Sequence, residues 1–384
     1  MKNLFVLIDA LGWTYLQDRP FLSDLLPYRR PLRTVLGFSS GAIPTILTGM
    51  TPAQNGQWNL FYYDPQGSPF RWLRKVLFLP DSLLDCRVSS KLLKELGRRV
   101  LGLGPGFECC VPPHLLPWFN FGEKKNIYLA GGIPGAQSIF DQLAEAGIRH
   151  RIYTYHHFTD AEIIRLARRD LETDMADFYF LYLSEMDGFL HHHCQDPAEL
   201  DNKLRWYERE LRSLFEFARA LDPSARMTIF SDHGMTPVRG RYDLTADIER
   251  LGLCMPQDYL AVYDSTMARF WFFSDRARTE IPRVLSACGR GRIVPSTELS
   301  CLGLNFRDNR FGDMMFLLEP GWLIARNGFE DSRWMPTGMD GYHPDDPYSD
   351  ACFLSDREPP VDVRSIIDVY QCMRQSASTP CATD

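Results

Sequence analysis

Three short apolar runs in this chain stop at an acid or at an acid–histidine pair, and that pattern narrows the possible folds more than any other feature. "NLFVLI" (3–8) runs into Asp9, "DFYFLYLSEMD" (177–187) closes on Asp187, and "RMTIFSDHG" (226–234) delivers Asp232 and His233 together. Runs of this length and bulk read as buried strands. Further strands are expected at 33–38, 125–132, 150–156 and in "DACFLSD" (350–356). Helical patterns fall between them at 40–49, 160–173, 197–221 and 362–374. The third is long and amphipathic and carries Pro197 in its first turn, where a missing N–H breaks no bond. Strands alternating with helices specify an α/β fold, a sheet with helices on both faces. In open sheets of that kind ligands gather outside the carboxyl ends of the strands. The groups that end these runs are therefore placed to converge on one edge.

The chain has 384 residues, 45% of them hydrophobic, enough to bury a large core. A single catalytic domain is expected over 1–375, with insertions at about 61–124 (a lid) and 236–335 (a cap) and a flexible tail at 376–384. The formal net charge of −7 gives no reason to expect a nucleic-acid polymer as partner. The ten cysteines, among them the neighbours Cys109 and Cys110, show no C-x-x-C spacing and read as reduced thiols of a cytoplasmic protein. Asp9 interrupts the first apolar run too early for a signal peptide, and no stretch reaches the length of a membrane-spanning helix.

The chemistry-bearing residues form small constellations. In "EMDGFLHHH", Asp187 and His191 are four apart, so one helical turn or a tight loop aims both at one ion; a solvated acid beside surface histidines is the alternative. "FSDHGM" sends Asp232 and His233 out of a buried strand side by side, with Gly234 permitting a sharp departure of the backbone. With Asp9 there are ligands enough for two metal ions, which can stabilise both the attacking and the leaving oxygen of a displacement at phosphorus. "SSGAIPTILTG" (39–49) places Ser39 and Ser40 at a helix start, as an N-cap or as a nucleophile in the field of the helix N-terminus. The 68–103 stretch sets Arg71, Arg74, Lys75, Lys91, Lys94, Arg98 and Arg99 among Trp and Leu. It reads as a lid with a solvated basic face, or as a guide for an anionic substrate or a contact with a membrane surface.

Taken in order, "VLIDALGW", "SSGAIPTILTGMTPAQNG", "EMDGFLH", "FSDHGM" and "PTGMDGYHPDDP" resemble the motifs of the alkaline phosphatase superfamily, in its type I phosphodiesterase/nucleotide pyrophosphatase branch. The resemblance covers roughly 1–60, 125–240 and 310–356. It implies an alkaline-phosphatase-like central sheet with helices on both faces and inserted cap segments. It also implies a nucleophile nine residues before the Thr of a Thr-Gly pair; Thr48-Gly49 points back to Ser39, with Ser40 its neighbour. By the same resemblance Asp9, Asp232 and His233, together with Ser39, hold one divalent ion, and Asp187 and His191 hold a second. Asn59 in "QWNLFYYDP" stands near the position of an asparagine that contacts the phosphoryl oxygens.

One departure bears on the metals. Where the family carries Gly-x-His-Gly, this chain has "GMDGYH", so either Asp340 or His343 completes the second site. The resemblance points to zinc, whereas an aspartate there makes the site harder and favours manganese or magnesium. The function expected is a two-metal phosphoesterase of the phosphodiesterase type, hydrolysing a small-molecule phosphate ester through a covalent phosphoserine. The alternatives are a phosphotransferase or phosphonate hydrolase acting on a small metabolite, or a pseudoenzyme that binds a phosphorylated ligand.

Overall fold

The computed structural model describes residues 1–76, 87–99, 101, 111–122, 124–327 and 335–378. They fall into two compact units, one made of Met1–Gly56, Ile127–Pro237 and Pro336–Asp384, the other of Gln57–Asn126 and Val238–Met335. Among the described residues no helix is long and apolar enough to cross a membrane.

The first unit is built on a six-stranded sheet. Its strands are β1 (Asn3–Ile8), β2 (Tyr28–Leu32), β3 (His150–Tyr153), β4 (Phe178–Leu183), β5 (Arg226–Phe230) and β6 (Ala351–Ser355), in the order β2-β6-β5-β1-β4-β3. β5, β1, β4 and β3 are parallel, and β6 runs antiparallel to both of its neighbours. Five helices matter for the site and the core: α1 (Ser39–Thr48), α2 (Asp160–Glu172), α3 (Glu185–His193), α4 (Pro197–Leu221) and α5 (Val369–Ser378). Successive side chains of a strand face opposite ways. Leu4, Val6 and Ile8 of β1 accordingly join the core under α2 and α4, while Phe5 and Leu7 join the core under α1 and α5. A strand buried on both faces has no polar side, which is why β1, β4 and β5 appear in the sequence as unbroken apolar runs.

Several elements differ from expectation. The strand expected at 33–38 lies at Tyr28–Leu32 instead. It is an edge strand carrying Arg29, Arg30 and Pro31, so it lacks the apolar signature of a central one. Residues 125–132 form turns, from which Ile127 and Tyr128 insert into the core; their apolarity is real but serves a loop. The run that closes on Asp187 stops being a strand at Leu183, and Asp187 belongs to α3. α5 extends through Ser378, so 376–378 are helical and not a tail, and the remaining residues of the expected tail, 379–384, lie outside the described residues, as do Cys109 and Cys110.

The second unit has its own cores. A four-stranded antiparallel sheet runs in the order Tyr259–Tyr263, Met267–Phe272, Met314–Leu318, Gly291–Ile293, and a short hairpin pairs Phe61–Tyr63 with Phe119–Phe121. Of the basic stretch, Arg71, Arg74 and Lys75 lie on the 3-10 helix Arg71–Val76, and Lys91, Lys94, Arg98 and Arg99 lie on the helix Arg87–Arg99. Residues 77–86, 100, 102 and 103 of that stretch, and the side chain of Arg98, lie outside the described residues.

Candidate active site

Adjacent parallel strands end side by side, and the site is assembled from that fact. Asp9 follows β1, Asp232 and His233 follow its neighbour β5, and α3 follows β4 on the other side of β1. Asp187 and His191 project from one turn of α3, with His191 Nε2 3.4 Å from Asp187 Oδ1. Asp340 arrives on the short strand Gly338–Met339, which pairs antiparallel with Thr236–Pro237 just beyond His233. The backbone at Gly234 is tightly enclosed. A Cβ there would come within 2.2 Å of the Tyr348 carbonyl oxygen and 3.1 Å of Gly12 Cα, so close approach rather than a left-handed turn explains the glycine.

Two groups of potential ligand atoms result. Asp9, Asp232 and His233 each offer an atom within 4.8 Å of the others, and so do Asp187, His191 and Asp340. Asp340 also joins the groups, because its Oδ2 lies 3.4 Å from His233 Nε2. Asp9 Oδ1 and Asp232 Oδ2 lie 3.6 and 3.3 Å from the same nitrogen. Ser39 is the first residue of α1 and sets its Oγ 2.9 Å from His233 Nε2. It is not the cap of that helix: the N-cap is Phe38, which has no side-chain acceptor. Ser40 is the next residue of the helix and is half-buried.

The tautomers follow from what the rings touch. His233 Nδ1 faces the Gly234 carbonyl at 2.9 Å, and His191 Nδ1 faces the Gly338 carbonyl at 2.9 Å. A carbonyl oxygen only accepts, so each Nδ1 carries the proton and Nε2 is the acceptor atom of the neutral ring. In both cases that is the nitrogen turned to the carboxylates, the arrangement that fixes histidine for a metal.

The electrostatics are lopsided. Burial works against a charged His233, but Asp232, Asp340, Asp9 and Asp187 outweigh it and push its pKa up to about 10. His191 behaves alike: burial opposes the charge, Asp187 and Asp340 prevail, and the pKa rises to about 9. Burial, then Asp232 and Asp187, hold the Asp9 carboxyl well above its usual range. Asp9 Oδ1 and Asp232 Oδ2 are buried and have no hydrogen-bond partner among the described residues. Crowded carboxylates with orphaned buried oxygens, set against imidazole acceptors, are a donor set that a divalent cation satisfies.

Residues outside the motifs hold this set in place. Tyr182, at the end of β4, donates its hydroxyl to Asp9 Oδ2. Asp232 Oδ1 accepts from the Ala10 N–H at 3.3 Å, and the Asp232 carbonyl accepts from Thr34 Oγ1 at 2.6 Å. α3 has no side-chain cap of its own on Ser184. Asp160 caps it from 24 residues away, taking the Ser184 N–H at 2.9 Å and the Glu185 N–H at 3.3 Å, with the Tyr207 hydroxyl donating as well. None of these follows a sequence pattern, since each is one residue brought in by tertiary structure.

The remaining candidates make other hydrogen bonds. His343 is turned to its own loop, where its Nδ1 accepts from the Asp345 N–H at 3.1 Å; Asp340 is the one grouped with Asp187 and His191. Asn59 is buried in the second unit, where its Nδ2 donates to Asp264 Oδ2 at 3.2 Å. Asp264 is in turn paired with Arg269 at 3.2 Å.

Residues 3–343 match the sequence profile of type I phosphodiesterase / nucleotide pyrophosphatase. No curated protein matches this chain in sequence. Among solved structures, murine and human ectonucleotide pyrophosphatase / phosphodiesterase 5 superpose with a TM-score of 0.69, at 15% and 14% identity, covering 99% of this chain and 96% of theirs. An inactive murine form of that protein in complex with AMP superposes equally well, with a TM-score of 0.69 at 16% identity. Likeness at that identity shows the fold, and the profile match shows the family. The chain belongs to the type I phosphodiesterase/nucleotide pyrophosphatase family of the alkaline phosphatase superfamily, hydrolases of phosphodiester or pyrophosphate bonds.

Proposed function

We propose that this protein hydrolyses a small-molecule phosphodiester or pyrophosphate by two displacements through a phosphorylated Ser39, with two divalent ions as cofactors. The observation that carries the reading is Ser39 Oγ at 2.9 Å from His233 Nε2, inside a ring of carboxylates that also reaches Asp187 and His191 through Asp340. Asp9, Asp232 and His233, with Ser39, would hold one ion, and Asp187, His191 and Asp340 the other. Bound there, divalent ions supply Lewis-acid stabilisation to the attacking and leaving oxygens of an in-line displacement.

The chain's own groups do the rest. The His233 ring, fixed by the Gly234 carbonyl, orients the Ser39 hydroxyl. Ser39 Oγ attacks phosphorus, the bond to the leaving oxygen breaks, and the alcohol or phosphate departs. Water then attacks the same phosphorus, the Oγ–P bond breaks, and the serine hydroxyl is restored. The first turn of α1 presents its positive end to the phosphoryl group throughout. Asp340 in place of an imidazole gives the second group two carboxylates and one nitrogen, so manganese or magnesium competes there with zinc. A nucleotide is the first substrate to try, because a structure of the same fold holds AMP.

The test is turnover of bis-p-nitrophenyl phosphate. Ser39→Ala is expected to lose activity by about a thousandfold or more, as triad-type nucleophile deletions do, while Ser40→Ala stays close to wild type. Full activity in Ser39→Ala would remove the mechanism.

A further inference from the structure

The second unit carries a patch where cations and large apolar side chains are exposed together. The 3-10 helix Arg71–Val76 and the helix Arg87–Arg99 both pack on the 3-10 helix Pro113–Trp118, and they send Leu73 and Leu93 into the same core. What they expose is not an ordinary solvated face. Trp72 is 45% exposed and stands between Arg71 and Arg74, with Lys75 next, all of them exposed. Leu92 is 69% exposed and stands beside Lys91, with Glu95 and Arg99 on the following turns. Phe273, also 45% exposed, packs on Tyr63 with ring centres 6.0 Å apart. Tyr63 is the strand partner of Phe119, and the preceding Trp118 has the Arg74 guanidinium 5.5 Å from its ring centre.

The charge of this patch is opposite to that of the chain, whose formal net charge is −7. Residues 61–76 and 87–99 hold eight basic residues against two acids, Asp64 and Glu95. Asp64 takes the Gly67 N–H at 2.8 Å and Asn120 Nδ2 at 2.7 Å, and Glu95 pairs with Arg99 at 2.8 Å. Near Phe273, Asp313 takes the Phe272 N–H and Asp258 the Cys254 N–H, each at 2.9 Å. These acids leave a clear positive excess. Arg71 and Arg74 bond to the carbonyls of Gln66, Pro65 and Pro117, which hold the guanidinium groups without neutralising them.

Cations alone would fit any polyanion. Trp72, Leu92 and Phe273 among them add apolar surface, and an exposed leucine has no counterpart in a nucleic-acid backbone. A bilayer uses all three kinds of group. Aromatic rings settle at headgroup level, aliphatic tips reach the acyl boundary, and long basic side chains extend to the lipid phosphates. We propose that this patch of the second unit docks on the surface of an anionic phospholipid bilayer, with Trp72, Leu92 and Phe273 entering the interface and the lysines and arginines around them on lipid phosphates. The proposal does not rest on the catalytic reading above.

The test is flotation of the full chain with vesicles of phosphatidylcholine alone and of phosphatidylcholine mixed with phosphatidylglycerol. Wild type is expected to float with the mixed vesicles, to ignore phosphatidylcholine alone, and to be released as salt is raised. Lys75→Glu combined with Lys91→Glu should weaken binding about tenfold or more, since each cation at an anionic surface is worth about fivefold. Trp72→Ser combined with Leu92→Ser leaves the charge unaltered and should also weaken binding about tenfold or more, through the apolar area lost from the interface. All four side chains are exposed, so both double variants should fold, which thermal unfolding followed by circular dichroism checks. If one pair fails to fold, the other decides. Failure of wild type to bind the mixed vesicles overturns the proposal, and so does wild-type binding by either folded variant. Single-stranded DNA that binds as tightly as the mixed vesicles and displaces them would make the patch a general polyanion surface, and overturns it too.

Discussion

Asp160 offers a test in which the structure fixes both sign and size. Its carboxylate is 1% exposed and forms no ion pair among the described residues, yet it holds the N-terminus of α3 through the Ser184 and Glu185 N–H groups. Burial raises its pKa from the ordinary 3.8 to about 6, with the Tyr207 hydroxyl opposing the rise. An acid whose pKa is higher in the folded than in the unfolded chain gives its full stability below the unfolded value and loses it as pH rises through the folded one. At 1.36 kcal/mol per pH unit, wild type gives up about 3 kcal/mol between about pH 4 and pH 7 on this account alone. Asp160→Asn cannot titrate. Its amide nitrogen cannot accept, so at least one of the three donors loses its acceptor, at a cost of about 1–3 kcal/mol. The variant is therefore expected to be less stable than wild type near pH 4, and the gap should close or reverse by about pH 7. Urea unfolding of both proteins in matched buffers measures it, because every other titrating group cancels in the difference. A gap that stays constant, or widens as pH rises, would show that the buried charge is not what the geometry indicates.

Two further substitutions probe the candidate ligands. Tyr182→Phe deletes the hydroxyl that donates to Asp9 Oδ2. It should lower metal affinity by about 10–100-fold, as loss of a ligand's supporting hydrogen bond does, with little change in thermal stability; titration with metal followed by elemental analysis checks it. Asp340→His replaces a carboxylate 3.4 Å from His233 Nε2 by an imidazole. It should raise the preference for zinc over manganese in a competition titration, and an unchanged preference would separate Asp340 from the metal centre.

Much of this arrangement could be read from the residues. Asp9 and the Asp232–His233 pair stand at strand ends because β1 and β5 are buried on both faces and so leave continuous apolar runs. The Asp187–His191 spacing of one helical turn is the spacing α3 uses. α4 spans Pro197–Leu221, the range its amphipathic pattern marks. What could not be read depends on tertiary contact. β2 is an edge strand whose Arg29, Arg30 and Pro31 look like loop. Ile127 and Tyr128 look like strand because a turn buries them. Asp160 and Tyr182 sit in unremarkable local sequence, and only the folded chain brings one to the N-terminus of α3 and the other to Asp9. That Asp340 groups with Asp187 and His191 while His343 Nδ1 takes the Asp345 N–H depends on where a three-residue difference points each side chain, which no spacing rule fixes.

The central claim is that Ser39 takes the phosphoryl group. Rapid acid quench during turnover of bis-p-nitrophenyl phosphate, followed by peptide mass spectrometry, reads it directly. The account predicts a nitrophenyl-phosphoryl group on Ser39 that appears with substrate and disappears as it is exhausted. Phosphoryl on Ser40, or brisk turnover with no covalent adduct on either serine, would contradict it.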